Sequence, residues 1–251
     1  MTYSDKITII TVCRNAAASI RQTIESVISQ KQEQSLEYIV IDGASSDGTQ
    51  EIVESFGSAV DIFISEPDEG IADAFNKGIL RSSGTLIGLI NADDCLLPGV
   101  INKLSNFFAT HPYVDVLHGD VFLHKGSHLI KRIRPAGRWW YPWRLVLFNH
   151  PATFVRRSVY DQYELFDVTY RIAMDVEIFL RWQSFGVRIK YLPEALVSMQ
   201  YGGLSSQCAE EGYREARKAF LRYKFSSFLV NLQFSSKLLI NRILSVGSRL
   251  W

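Results

Sequence analysis

Cysteine is scarce. Cys13, Cys95 and Cys208 are the only three in 251 residues, and no two have CxxC spacing. An odd, scattered set argues against a disulfide framework and against a zinc cluster, and it fits a reducing, cytosolic setting. No apolar run approaches the roughly 18 residues that a bilayer-spanning helix needs. Met1 to Lys6 leads straight into the apolar run from Ile7 to Val12, without a charged leader or cleavage site, so a secretory signal is not expected. There is no internal repeat and no low-complexity tract. What is present is enough apolar material for a core. With 47% hydrophobic and 21% charged residues, wholesale disorder and a collagen-like chain are excluded. The length suits one large α/β domain, or a domain of about 200 residues carrying a tail.

Acidic residues are the second scarcity, and it is local. The net charge of +1 hides a split: residues 1–120 hold seven Lys and Arg against seventeen Asp and Glu, and residues 121–251 hold twenty against nine. From Val121 to Tyr160 there are eight basic residues and no acid, and after Glu215 seven more with no acid. Long acid-free stretches point to an anionic partner for the second half.

In the first 120 residues, Ile7–Val12, Leu36–Ile41, Val60–Ile64 and Thr85–Ile90 read as strands, near-continuously apolar as strands covered on both faces are. Ser19–Ser29, Thr49–Phe56 and Ile71–Leu80 read as helices between them. This alternation predicts right-handed crossovers and a mostly parallel sheet, with ligands beyond the carboxyl ends of its strands. The polar clusters after those strands, Arg14-Asn15, Asp42 to Gly48, Glu66 to Gly70 and Asn91 to Asp94, then share one rim. Farther on, Val114–Leu123, Leu129–Arg134 and Val187–Tyr191 read as strands and Asp175–Phe185 as a helix. From Glu210 onward the pattern is helical to the end.

Two phosphate-binding signatures are missing. Gly43 to Gly48 has the Gly-x-x-x-x-Gly spacing, but Thr49 stands where a phosphate loop places Lys, which counts against an ATPase. No GxGxxG follows the first strand, which counts against a nicotinamide dehydrogenase. The pair Asp93-Asp94 at a strand end is suited to Mg²⁺ or Mn²⁺, whose other positions water and diphosphate oxygens fill. Paired Asp also serves turns, and Asp47 ahead of Thr49 suits a helix cap as well as a site.

Taken together, Thr11 to Asn15, Val40 to Thr49, Ser65 to Gly78 and Asn91 to Asp94 resemble the nucleotide-sugar half of a family 2 glycosyltransferase with the A-type fold, an inverting family. The resemblance spans most of residues 6–200 and resembles bacterial polysaccharide-biosynthesis members. It implies an α/β fold, a mostly parallel twisted sheet flanked by helices, with a catalytic domain over 1–205 (nucleotide-sugar half 1–120, acceptor half 121–205) and a basic, amphipathic helical extension over 206–251. It implies that Thr11, Val12 and Asn15 line the nucleotide, that Asp42 hydrogen-bonds the base, and that Ser45 and Asp47 belong to the same pocket. Glu66, Asp68, Asp73, Asn76 and Lys77 would shape the donor-sugar and phosphate region. Asn91, Ala92 and Asp93 match the Asp-x-Asp motif, with Asp93 and Asp94 as metal carboxylates for Mn²⁺ or Mg²⁺. Asn91 departs from the commoner Asp and removes one charge from the site.

Inversion also needs a base on the acceptor side. Tyr170 to Glu177 is similar to the family's catalytic segment, which makes Asp175 the expected base, with Glu177 as the competing carboxylate and a plain helix cap as the other use of Asp175. Asn149 to Phe154 resembles a segment beside the acceptor, where His150 orients the acceptor or approaches the phosphates, or else packs structurally. Trp140, in the aromatic and basic stretch Pro135 to Phe148, is the other acceptor-side residue. Gly202 to Ser205 resembles a loop that closes over the donor.

The partners implied are a nucleotide-diphosphate sugar, UDP-linked in most members, and a lipid-linked or polysaccharide acceptor of the cell envelope. Beyond Arg222 apolar and basic residues interleave. On a helix this suits peripheral contact through 225–251 with an anionic membrane, at the inner face of the plasma membrane for a cytoplasmic enzyme. It equally suits packing on the same domain or on a second copy in a homo-oligomer. No RNA-recognition motif or zinc finger is present, so nucleic acid is not expected as a partner. A nucleotidyltransferase, or a non-catalytic sugar- or membrane-binding subunit, is the alternative reading; the former lacks its basic glycine-rich loop after the first strand.

Overall fold

A computed structural model describes residues 6–31, 36–135, 148–203, 208–223 and 225–234. The chain begins β1 (Ile7–Cys13), α1 (Ile20–Ile28), β2 (Leu36–Asp42), α2 (Thr49–Glu54), β3 (Ile62–Ser65), α3 (Ile71–Arg81), β4 (Leu86–Asn91). All seven residues of β1 and all seven of β2 are buried. Alternate side chains of β1 enter opposite cores: Ile10 and Val12 pack with Phe75, Phe179 and Trp182, while Ile7, Ile9 and Cys13 pack with Ile24, Tyr38 and Val53. Burial on both faces is why these strands read as unbroken apolar runs.

The chain continues β5 (Cys95–Leu96), α4 (Val100–Thr110), β6 (Val116–Lys125), β7 (His128–Ile133), β8 (Thr153–Arg156), α5 (Arg157–Tyr163), α6 (Met174–Ser184), β9 (Ile189–Gln200) and α7 (Ala209–Arg222). A last helix, α8, covers 227–234. The sheet runs β3-β2-β1-β4-β8-β6-β9-β5, with β7 on β6. The pairs β1/β2, β1/β4, β2/β3 and β6/β9 are parallel. Strand β8 is antiparallel to both β4 and β6 and joins the two halves into one sheet.

Several elements differ from the sequence expectation. Helix α4 was not expected, although its buried Val100, Ile101, Leu104 and Phe108 stand at helical spacing. Strand β9 was expected to stop at Tyr191 and instead runs to Gln200. The parallel ladder with β6 shifts register around Asp120, an irregularity that admits Pro193 inside the strand. The helical stretch expected after Glu210 is interrupted at residues 225–226, between α7 and α8. The expected boundary at 205/206 lies outside the described residues, as do Trp140 and most of its aromatic stretch. Helix α7 buries Ala216, Ala219 and Phe220, and α8 buries Val230 and Phe234, in the same core cluster as α3 and α6.

Candidate active site

The four polar clusters do share one rim. Cys13 stands beside Asp42, Asp42 beside Ser65, and Val12 beside Asn91 in the parallel registers. The first two loops are stitched together by backbone donors of one and side chains of the other. Asn15 N–H donates to Ser45 Oγ at 2.7 Å, Ala16 N–H to Thr49 Oγ1 at 2.8 Å and Ala17 N–H to Asp47 Oδ2 at 3.0 Å. Ser46 N–H returns a bond to Asn15 Oδ1 at 3.0 Å, with Asn15 at a positive φ of 51°. Asp47 also accepts from Thr49 N–H and Oγ1, so it ties both loops to the start of α2.

Asp42 is fully buried at the end of β2. It accepts from Ser45 N–H at 2.9 Å, from Ser65 Oγ at 2.7 Å and from Ser45 Oγ. Thr11 is buried one register position below the rim and accepts from the Tyr38 hydroxyl at 3.0 Å. In the third loop, Asp68 Oδ1 accepts from Gly70 N–H at 2.9 Å. Its other oxygen occupies space that a Cβ on residue 43 would need: that atom would lie 2.2 Å from Asp68 Oδ2. Glycine at 43 therefore lets the second and third loops approach. Lys77 bridges Glu66 at 3.0 Å and Asp73 at 3.3 Å, and donates to Pro67 O at 2.7 Å. Asn76 reaches the second half of the chain, clamping the backbone N–H and C=O of Phe166, both at 2.9 Å.

At the end of β4 the chain turns, Asp94 N–H donating to Asn91 O at 3.1 Å and Asn91 Nδ2 to Asp94 Oδ2 at 3.0 Å. Asp93 is half-buried, and loss of water raises its carboxyl above the usual range. Asp94 is buried, its Oδ1 without a partner, and burial together with the neighbouring Asp93 charge pushes it up to about 8. Ala92 is buried between the Asn91 and Asp93 positions. Pairing of β5 with β9 brings the segment after β9 back to this turn; a Cβ on Gly203 would stand 4.0 Å from Asp93 Oδ2. Two buried or half-buried carboxylates without a cation destabilise each other, and a divalent ion relieves both penalties. Among the described residues no three His, Cys, Asp or Glu side chains converge on one point.

In the second half of the chain, α6 starts at Met174, with Ala173 as N-cap and Asp175 in the first turn. Asp175 Oδ1 accepts Val176 N–H at 2.7 Å. Burial raises the carboxyl to about 6, with the Glu215 charge adding to the rise and the Val176 N–H opposing it. Glu177 is fully engaged: Arg181 Nη2 lies 2.6 Å from Oε2 and the Tyr223 hydroxyl donates to Oε1 at 2.6 Å. Glu215 was not among the expected site residues. It accepts N–H bonds from Arg171 at 2.9 Å and from Ile172 and Ala173 at 2.8 Å each. The one trace of it in the sequence is that no acid follows it.

His150 lies among Phe75, Phe148 and Phe166, with ring centroids at 5.3, 6.4 and 6.0 Å. Its Nε2 is buried without a partner, and desolvation lowers its pKa to about 4. The ring is thus neutral at pH 7 and packs in an aromatic cage.

Comparison with known proteins places the chain. The family model described as Glycosyl transferase family 2 matches residues 8–179. A "PGL/p-HBAD biosynthesis glycosyltransferase" of Mycobacterium tuberculosis (strain ATCC 25177 / H37Ra) is 25% identical over 211 residues, covering 79% of this chain and 78% of that protein. Among solved structures, S. aureus TarS superposes with a TM-score of 0.67 at 18% identity, over 93% of this chain and 43% of TarS. Its 1-349 fragment in complex with UDP gives 0.64 at 18% identity, over 93% of this chain and 70% of that one. Mannosyltransferase PcManGT from Pyrobaculum calidifontis, in complex with GDP-Man and Mn²⁺, gives 0.65 at 17% identity, over 99% of this chain and 81% of that one.

Proposed function

The chain belongs to glycosyl transferase family 2 and is a glycosyltransferase, and from that premise we propose an inverting transfer with Asp175 as general base. A sugar passes from a nucleotide-diphosphate donor to a hydroxyl of a lipid-linked or polysaccharide acceptor. The state of Asp175 carries this reading. It stands in the first turn of α6, half-buried, with its carboxyl raised to about 6, which puts its proton affinity close to working pH, where a general base is most effective. Glu177, the other carboxylate of the turn, is held by Arg181 and Tyr223 and has no freedom to take a proton from substrate. In the step proposed, Asp175 takes the acceptor hydroxyl proton as that oxygen bonds to the anomeric carbon. The bond from that carbon to the diphosphate breaks, and its electron pair leaves with the nucleotide diphosphate.

The donor region is assigned to the stitched rim, with Asp42, Ser45, Asp47 and Asn15 shaping the nucleotide pocket and Asp68, Asp73 and Lys77 the sugar and phosphate side. A UDP-sugar is the favoured donor. TarS was solved with UDP and with UDP-GlcNAc, whereas PcManGT, with GDP-Man, has a guanine nucleotide on the same fold.

The turn at Asn91 to Asp94 fits a hard divalent cation. It offers only oxygen ligands from carboxylates, and the buried Asp94 Oδ1 has no partner. Asp93 would hold Mn²⁺ or Mg²⁺, with Asp94 beneath it and with water and donor oxygens completing the sphere. Such an ion, when bound, neutralises charge on the departing diphosphate. Asn91 donates its amide to Asp94 and so holds that carboxylate in place.

Contact with an anionic membrane surface is proposed for the 225–251 region. Among the described residues no helix is long and apolar enough to cross a membrane. Helix α8 exposes Phe228, Leu229 and Leu232, beside a stretch with no acid after Glu215. Val230 and Phe234 belong to the core, so deleting the helix would disturb the fold. Paired Phe228→Ser and Leu232→Ser substitutions are the better test. Loss of flotation with anionic liposomes, with the melting temperature unchanged, is expected; undiminished flotation rejects the surface.

The base assignment is tested with Asp175→Asn. Donor binding should persist and transfer should fall to background. Turnover near the parent's rate would overturn it.

A further inference from the structure

Helix α7 lies along the catalytic segment, and the contacts recur along one stripe of it. A Cβ on Gly212 would lie 3.0 Å from Ile172 Cγ2, so the helix approaches that segment closely at this turn. Glu215, one turn on, receives the N–H groups of residues 171, 172 and 173. The Lys218 ammonium lies 4.7 Å from the Tyr170 ring centroid, Arg222 pairs with Asp167 at 3.2 Å, and Tyr223 donates to Glu177. Positions 212, 215, 218 and 222 follow the three- and four-residue steps of one helix face.

We propose that Glu215 is a positioning residue for the transfer reaction: its carboxylate fixes the backbone immediately before Asp175 and thereby the placement of the base. The inference rests on the assignment of Asp175 given above. Three converging N–H donors on one carboxylate form charge-assisted bonds, which are roughly twice as strong as neutral ones. They hold the entry to α6 from outside that helix, whose N-cap, Ala173, has no side chain able to accept a bond. Asp175 is two residues beyond the last clamped N–H. A shift of this backbone by about 1 Å would misplace the carboxylate enough to cost about a hundredfold in rate.

Glu215 also carries the negative charge that acts on Asp175 across the helix interface. The other charged groups around this interface are Glu177 with Arg181 on α6, Asp167 and Arg171 in the preceding segment, and Glu210, Glu211, Arg214, Lys218 and Arg222 on α7. Of these, Glu177 pairs with Arg181, Asp167 with Arg222 and Glu210 with Arg214.

The experiment compares Glu215→Gln, Glu215→Ala and Asp175→Asn in the full chain, measuring kcat, donor KM, the pH profile of kcat and far-UV circular dichroism. Glu215→Gln keeps one acceptor oxygen and the side-chain volume, so the fold should be retained. The expected result is a kcat lowered about tenfold in Gln and about a hundredfold in Ala, with donor KM within about twofold. The acidic limb of kcat should move to lower pH in both, because removing a like charge eases ionisation of Asp175. A folded Gln variant with parental kcat and an unmoved acidic limb overturns the positioning role. An active Asp175→Asn variant overturns the base assignment, whatever the Glu215 variants do.

Discussion

Asp175→Asn should give an enzyme that is inactive and more stable than its parent at neutral pH. The folded chain raises the Asp175 carboxyl from 3.8 to about 6. Above the folded value the group is ionised in both states, and keeping it ionised in the folded state costs about 2 kcal/mol once its partial exposure to water is allowed for. Asparagine has the same shape and can accept the Val176 N–H, but it carries no charge to desolvate. At pH 7.5 the variant should therefore unfold at a midpoint about 5 °C higher. The sign reverses nothing at low pH but removes the difference: below the unfolded value Asp175 is protonated in both states, and the two proteins should converge as pH falls from 7 toward 4. Chemical denaturation at pH 7.5, 6 and 4, with a coupled assay for released nucleotide diphosphate, tests both halves. A variant less stable than its parent at pH 7.5, or a stability gap that does not narrow with acid, would refute the account of a desolvated base.

Three further outcomes are expected. The parent's kcat at saturating donor and Mn²⁺ should fall about tenfold between pH 7 and pH 5, since a group titrating near 6 is about one-tenth ionised at pH 5; a flat profile to pH 5 would exclude Asp175 as the titrating base. Arg181→Ala should lose about 3–5 kcal/mol of stability, because Glu177, 1% exposed, would lose its guanidinium partner; a loss under about 1 kcal/mol on denaturant titration would show the pair to be dispensable. Asn91→Asp replaces an amide that donates to Asp94 with a third carboxylate. The metal-free melting temperature should drop and the gain on adding Mn²⁺ should exceed the parent's. Equal Mn²⁺-dependent gains by differential scanning fluorimetry would argue against a cation at this turn.

The first half of the chain was legible in the sequence because its information is local. Strands buried on both faces must be continuously apolar, and parallel crossovers must deliver the residues after each strand to the same rim. Strand β8 was not legible, because Thr153 to Arg156 is a four-residue run whose strand character comes from lying between β4 and β6. The continuation of β9 past Pro193 was hidden for a similar reason: proline signals a break in any isolated strand, and only the irregular register against β6 accommodates it.

By itself the sequence determined the four strand-end clusters and the Asn91 to Asp94 turn, since each is written in contiguous residues with a fixed period or motif, and it supplied Asp175 as the candidate base that is proposed above. Tertiary structure alone decided what the neighbouring charged and polar groups do. Glu177 is two residues from Asp175 and of the same chemistry, yet Arg181 and Tyr223 consume it. Asn76, expected beside the donor, clamps Phe166 ninety residues away. His150 is neutral because three phenyl rings surround it. Glu215, forty residues after Asp175, orders the backbone leading to it. A carboxylate's role depends on which donors and how much water reach it, and those are set by packing between segments distant in the chain.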